Sequence, residues 1–195
     1  MSRKAVHHLR SFGMSGFLIT DELKAVEAKY GVKLGHGVPE IDDESAYYPQ
    51  FEQSVRAEAE EMSKHYQVFY CLETAIRKLI TDTLSDSDGA AWWDGARVPS
   101  KIQLDVADRV QRELDSGMTR RSEELIKYTN FGELSVIITN NWDLFGAIFS
   151  SRRAVERVMN SLNLLRGPIA HCCPITEDEV DRLRLTVKDW FRMMA

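Results

Sequence analysis

The sequence predicts an all-α fold, an up-and-down helical bundle with a long first bundle helix. Three observations carry this. From residue 49 onward, apolar residues recur at three- and four-residue spacing in successive stretches, as the buried face of an α-helix requires. Polar turns and capping signals separate those stretches. Nowhere does a run of useful length alternate apolar and polar residues as a half-buried strand would, and there is no internal repeat.

Residues 1–45 are the least patterned and are expected to form an accessory arm that packs on a partner chain; the bundle is expected over 46–195. Thr20 can cap a short helix from Asp21 to Tyr30, with Leu23, Val26 and Tyr30 on one face and Gly31 ending it. Gly35 to Pro39 and the acidic Asp42-Asp43-Glu44 read as a linker. His7, His8 and His36 have no convincing ligand partners and are expected to be solvated.

The longest periodic segment runs from about Pro49 to Thr83. Val55, Ala59, Met62, Tyr66, Phe69, Ile76, Ile80 and Thr83 keep helical spacing. Unbroken, this helix would reach about 50 Å. Glu73 falls on the same stripe, where a carboxylate needs a partner. Arg77, one turn later, supplies it in the favourable i,i+4 order. Spacing leaves open whether the pair only orients helices or stands beside a site.

A polar turn at 85–89 leads to Trp92-Trp93, which reads as a lid on the core; base stacking is the alternative. Ser100 to Gln103 reads as a capping box opening a helix to about Ser116, with Ile102, Val106, Val110 and Leu114 inward and Gly117 closing it. Arg120 and Arg121 follow in a loop, as a solvated pair. Asn130 and Glu133 can cap the next helix, whose stripe is Phe131, Leu134, Ile138, Trp142 and Phe145, with a break at Gly146. Asn141 is the polar residue expected to be pinned beside that core. A further helix, about Ser151 to Arg166, turns Val155, Val158, Leu162 and Leu165 inward. Arg152, Arg153 and Arg157 lie on its other faces, two turns or more from Arg166. Thr176 to Glu179 reads as a capping box, with first-turn acids that suit a helix dipole. The last helix presents Val180, Leu183, Val187, Trp190, Phe191 and Met194 on one side.

Composition sets bounds on function. With 195 residues, 44% of them hydrophobic, the chain can bury one substantial core. It carries 30 acidic and 25 basic residues, so it is not a generally basic nucleic-acid binder, and any contact with RNA must come from a local patch. The three cysteines show no metal-ligand spacing and fit a reducing compartment, and no apolar run approaches a membrane span. The expectation is a cytoplasmic protein with no cofactor, no metal and no membrane contact.

The stretch with chemistry in it is Leu162 to His171, L-N-L-L-R-G-P-I-A-H. In an unbroken helix, Arg166 and His171 would point about 140° apart. Proline disfavours helix for the residue before it, and glycine readily ends one. A turn at Gly167-Pro168 is therefore expected to bring both side chains onto one surface. Imidazole moves protons near neutrality, and guanidinium clamps phosphate in fork geometry. Asn163, one turn before Arg166, is placed to hydrogen-bond it or a substrate. Spacing alone is weak, because a helix-end arginine and a surface histidine arise often by chance. Cys172 and Cys173 have no base partner other than His171, so cysteine nucleophile chemistry is not expected.

The flanks of this pair add to it. The segment resembles the R-x4-6-H motif of the HEPN superfamily. Tyr128 to Phe145 and Leu72 to Ile80, with Trp92-Trp93, are similar to the branch that includes the HEPN modules of Swt-type RNA endonucleases. The resemblance covers roughly residues 45–195. Where many members have a polar residue after the motif arginine, often Asn, this chain has Gly167. The resemblance implies a metal-independent RNA endonuclease. A 2′-hydroxyl attacks its neighbouring phosphate to leave a 2′,3′-cyclic phosphate, with His171 moving the proton and Arg166 stabilising the phosphorane. It places polar residues of the long helix, Glu73 and Arg77 here, near the motif. It implies a homodimer with both motifs lining one cleft, and toxin or anti-phage systems with an antitoxin or defence partner protein. A non-catalytic module of the same fold, holding RNA, a nucleotide or a protein, is the alternative, and a helical adaptor is the third reading.

Overall fold

The computed structural model describes residues 47–194 and, within 19–30, all but 21, 24 and 28. The chain divides into two units, Met1–Glu52 and Gln53–Ala195. In the first, the described residues of 19–30 are helical; Thr20 is itself in the helix and so is not its cap. Val26 and Tyr30, expected on one face, are both exposed. The expected stop at Gly31, the linker at 35–44 and all three of His7, His8 and His36 lie outside the described residues.

The second unit is helical throughout. Its elements are α1 (Gln53–Asp88), α2 (Ser100–Asp115), α3 (Phe131–Asn140), the single-turn α4 (Trp142–Phe145), α5 (Arg152–Ala170) and α6 (Glu177–Met193), with 3-10 turns at Trp92–Asp94 and Leu125–Tyr128. Among the described residues there is no strand, only an isolated antiparallel bridge between Phe149 and Met194. No helix among them is long and apolar enough to cross a membrane.

The helix α1 is the long first helix expected, 36 residues or about 54 Å. Its apolar stripe has two fates. Phe69, Leu72, Ile76, Ile80 and Leu84 are buried, whereas Val55, Ala59 and Tyr66 are exposed. The reason is length: the helices packed on it are α3, 10 residues, and α5, 19 residues. The first turns of α1 have the pattern of a buried face that no helix among the described residues covers.

The helix α5 is central, packed against α6, α3 and α1. Val155, Val158, Leu162 and Leu165 face inward as expected, and the Ser151 hydroxyl accepts a hydrogen bond from the Ala154 N–H at its start. In α3, Asn130 and Glu133 form the capping box reciprocally, and Phe131, Leu134 and Ile138 are buried. Removing such a fully buried aliphatic side chain costs about 2–5 kcal/mol.

Local rules fail at four places. Pro99, not Ser100, caps α2, and the Gln103 amide donates instead to the carbonyls of Trp93 and Gly95. That ties the tryptophan turn down, and both indoles are buried as a lid. In the same helix Leu114 is exposed and Glu113 takes the inner position, because Arg121 supplies its counter-charge. At the start of α6, Thr176 is the N-cap but makes no side-chain bond, although the three first-turn acids are in place. Later in α6, Phe191 and Met194 are exposed and Met193 is inward.

Candidate functional site

Glu73 is the centre of the charged cluster. It lies on the buried face of α1, its side chain only 12% exposed. Arg77 Nη2 donates to its Oε1 and also to the Thr129 carbonyl at 2.9 Å. Arg166 Nε, on α5, donates to the other carboxylate oxygen at 3.2 Å. One buried carboxylate therefore holds two guanidiniums, which answers the desolvation cost that a lone charge would carry. Expectation and structure agree on the Glu73–Arg77 pair, and Arg166 is the addition.

These side chains open onto a cleft of about 290 Å³. Arg121 and Lys127 also line it, from the segment between α2 and α3. Two further ion pairs fix that segment. Arg109 binds the Glu133 carboxylate with both Nη groups and donates to the Tyr128 carbonyl as well. Arg121 binds Glu113 and lies over the Tyr128 ring, 4.8 Å from its centroid. The Tyr128 hydroxyl faces the Glu113 carboxyl outside good hydrogen-bond geometry. Together with the Arg121 side chain and N–H it holds that carboxyl below the ordinary carboxylate range, against the opposing effect of burial. On the far rim, Tyr66 and Tyr70 expose their rings to the same cleft.

Four cations and one carboxylate line this cleft, in a chain of net charge −5. Arg166 binds Glu73 through Nε, and neither Nη group makes a hydrogen bond among the described residues, which leaves both for a ligand. Such a fork suits a phosphate.

The structure corrects the motif geometry. Helix α5 does not end at Gly167-Pro168; it runs to Ala170 with Pro168 inside it. Gly167 makes this possible, since much of the clash that proline imposes on the preceding residue involves a Cβ that glycine lacks. The chain turns only after His171, the C-cap, at Cys172, whose φ is +54°. Arg166 and His171 therefore stay on the divergent bearings of a continuous helix. His171 is exposed and does not line the Arg166 cleft.

Two supporting residues lie elsewhere. Asn163 is exposed and makes no hydrogen bond to Arg166 among the described residues; its amide lies toward Gly132. Asn141 is buried, as expected, and donates to the carbonyls of Arg97 and Ile137. Arg97 in turn joins Asp88 to Asp143. That is a structural clasp, separate from the cleft. Arg152, Arg153 and Arg157 are exposed and outside the cleft too. Among the described residues no group of His, Cys, Asp and Glu side chains is placed to hold a metal ion.

Sequence reasoning missed Arg121 and Lys127, which reach the cleft only through the α2–α3 connection and have no local signal. Tyr70 did carry one: a large aromatic off the apolar stripe, four residues after Tyr66.

Residues 67–195 match the family model described as Swt1-like HEPN. No curated protein and no solved structure matches the chain.

Proposed function

The chain belongs to the Swt1-like HEPN family, and we propose that it is a metal-independent RNA endonuclease acting as a homodimer. The observation that supports this is the Arg166 fork, held at Nε by Glu73 and turned toward a cation-lined cleft. In the reaction an RNA 2′-oxygen bonds to the adjacent phosphorus while the bond from phosphorus to the 5′-oxygen breaks. His171 takes the 2′-hydroxyl proton, and a protonated imidazole returns one to the departing 5′-oxygen. The phosphorane gathers negative charge, where a preorganised guanidinium contributes most. The proton transfers and the charge stabilisation come from these side chains, so the chemistry needs no metal.

The divergence of Arg166 and His171 along α5 favours a composite site, with the arginine of one protomer and the histidine of its partner on one phosphate. A two-fold axis would also double the local positive charge where RNA must lie. In the cell this activity fits a toxin or anti-phage effector of the cytoplasm, restrained by an antitoxin or defence partner.

The same divergence supports a second reading, a non-catalytic RNA, nucleotide or protein binding module. The two separate on one experiment. Purified protein is incubated with RNA in EDTA, alongside the same strand lacking 2′-hydroxyls. Cleavage of the RNA alone, with 2′,3′-cyclic phosphate ends, is expected. Binding without cleavage would favour the module, and activity on DNA or a strict need for magnesium would overturn the mechanism.

A further inference from the structure

The two tyrosines on the cleft rim have no role in the reaction above. Tyr66 and Tyr70 are 59% and 61% exposed, with ring centroids 6.1 Å apart and a tilt of 40°. They stand one helical turn apart on α1 and line the same cleft as Arg77, Arg121, Lys127 and Arg166. Aromatic faces next to a row of cations match the chemistry of a single nucleic-acid strand, bases on the rings and phosphates on the charges. We infer that Tyr66 and Tyr70 form a nucleobase-stacking platform beside Arg166, making unpaired RNA the substrate class. This rests on the RNA reading proposed above.

Double-stranded RNA cannot use such a platform, because its bases are stacked inside the helix and offer no free face. Lys127 is the best placed cation for a flanking phosphate: its one acidic partner among the described residues, Glu124, is 4.0 Å away. Arg121 keeps a stronger hold on Glu113, at 2.8 Å, and contributes charge while staying in place.

The test is binding of a fluorescent 2′-O-methyl decanucleotide, which retains bases and phosphates but cannot be cleaved by 2′-hydroxyl attack. Wild-type protein should bind the single strand at least tenfold more tightly than the corresponding duplex. Tyr70→Leu and Tyr66→Leu keep apolar area and lose the aromatic face; each should weaken binding about tenfold, while Tyr70→Phe should bind as wild type. Lys127→Ala should reduce the dependence of log affinity on log salt by about 0.7. Both rings are exposed, so these variants should melt with the wild type. Wild-type affinity in both Leu variants, with a large loss in Arg166→Ala, would overturn the platform and leave the RNA reading standing. Equal affinity for strand and duplex would overturn the single-strand preference. A change of oligomeric state in Tyr66→Ser/Tyr70→Ser, with RNA affinity unchanged, would assign the pair to a protein interface and overturn the platform. No binding to wild type at all would remove both inferences.

Discussion

Glu73 accepts a hydrogen bond from Arg166 across 93 positions of chain, joining the long first helix to the helix that carries the motif. The arginine sits on a surface that no local pattern could specify, and its direction is set from α1. With Arg77 on the other carboxylate oxygen, Glu73 is a positioning residue for the cleft. Removing it would leave Arg77, 16% exposed, without its main counter-charge, and would free Arg166, 37% exposed, to turn into water. Glu73→Ala should therefore cost about 2–3 kcal/mol, a fall in Tm of roughly 5–10 °C. Thermal unfolding followed by circular dichroism checks it. An unchanged Tm would mean that the triad contributes nothing to stability.

The continuity of α5 gives a prediction of opposite sign. Proline inside a helix removes one backbone hydrogen bond and is worth about 3 kcal/mol against alanine at an unhindered position. Pro168→Ala should raise Tm, since it restores a bond to the Leu164 carbonyl. Were a turn at Gly167-Pro168 needed, the same substitution would lower Tm. A melting curve decides between the two.

Most of the fold was legible because it rests on short-range patterns. The spacing of Phe131, Leu134 and Ile138, or of Val155, Val158 and Leu162, identified buried faces correctly, and the Asn130–Glu133 box identified a helix start. The errors share one cause: local signals do not state how long the neighbours are or who supplies a counter-charge. Val55 and Tyr66 carry a core pattern but stay exposed, since no helix among the described residues covers them. Glu113 is buried where Leu114 was expected, because Arg121 lies eight positions on in the chain but adjacent in space. At the site, Glu73 and Arg77 were readable as an i,i+4 pair. The third member, Arg166, was readable as a motif residue but not as their partner. The Gly-Pro pair misled, since two helix-breaking residues together proved compatible with a helix.

Acid should expose the Glu113 contribution. Its carboxyl titrates below its ordinary value of 4.5 because the Tyr128 hydroxyl and Arg121 favour the charged form. The folded state thus binds this proton less readily than the unfolded chain. The resulting stability is fully present above the unfolded pKa and is lost as pH falls through the lower folded one. Glu113→Gln should melt below wild type at pH 7, and the gap should narrow as the pH is taken below 4.5. A gap that stays constant over that range would show that charge at Glu113 does not matter.

Arg166→Ala and His171→Ala test how the site is assembled. Each should remove most RNA cleavage and leave the fold and the oligomeric state unchanged, because His171 is exposed and Arg166 is outside the apolar stripe of α5. Mixing the two variants puts one lesion in each chain of a heterodimer, so no chain keeps both residues. Were catalysis to use the pair from one protomer, the mixture would stay dead. In a composite cleft, the intact arginine of one chain and the intact histidine of the other can still meet at one phosphate. Partial activity is expected to return, up to half of wild type per heterodimer, since one of the two composite sites is then complete. The divergent bearings of Arg166 and His171 on a continuous α5 favour that result. Refolding the variants together and assaying RNA cleavage in EDTA measures it. Full activity of a monomer in dilute solution would overturn the composite cleft, and a dead mixture containing verified heterodimer would return both residues to one protomer.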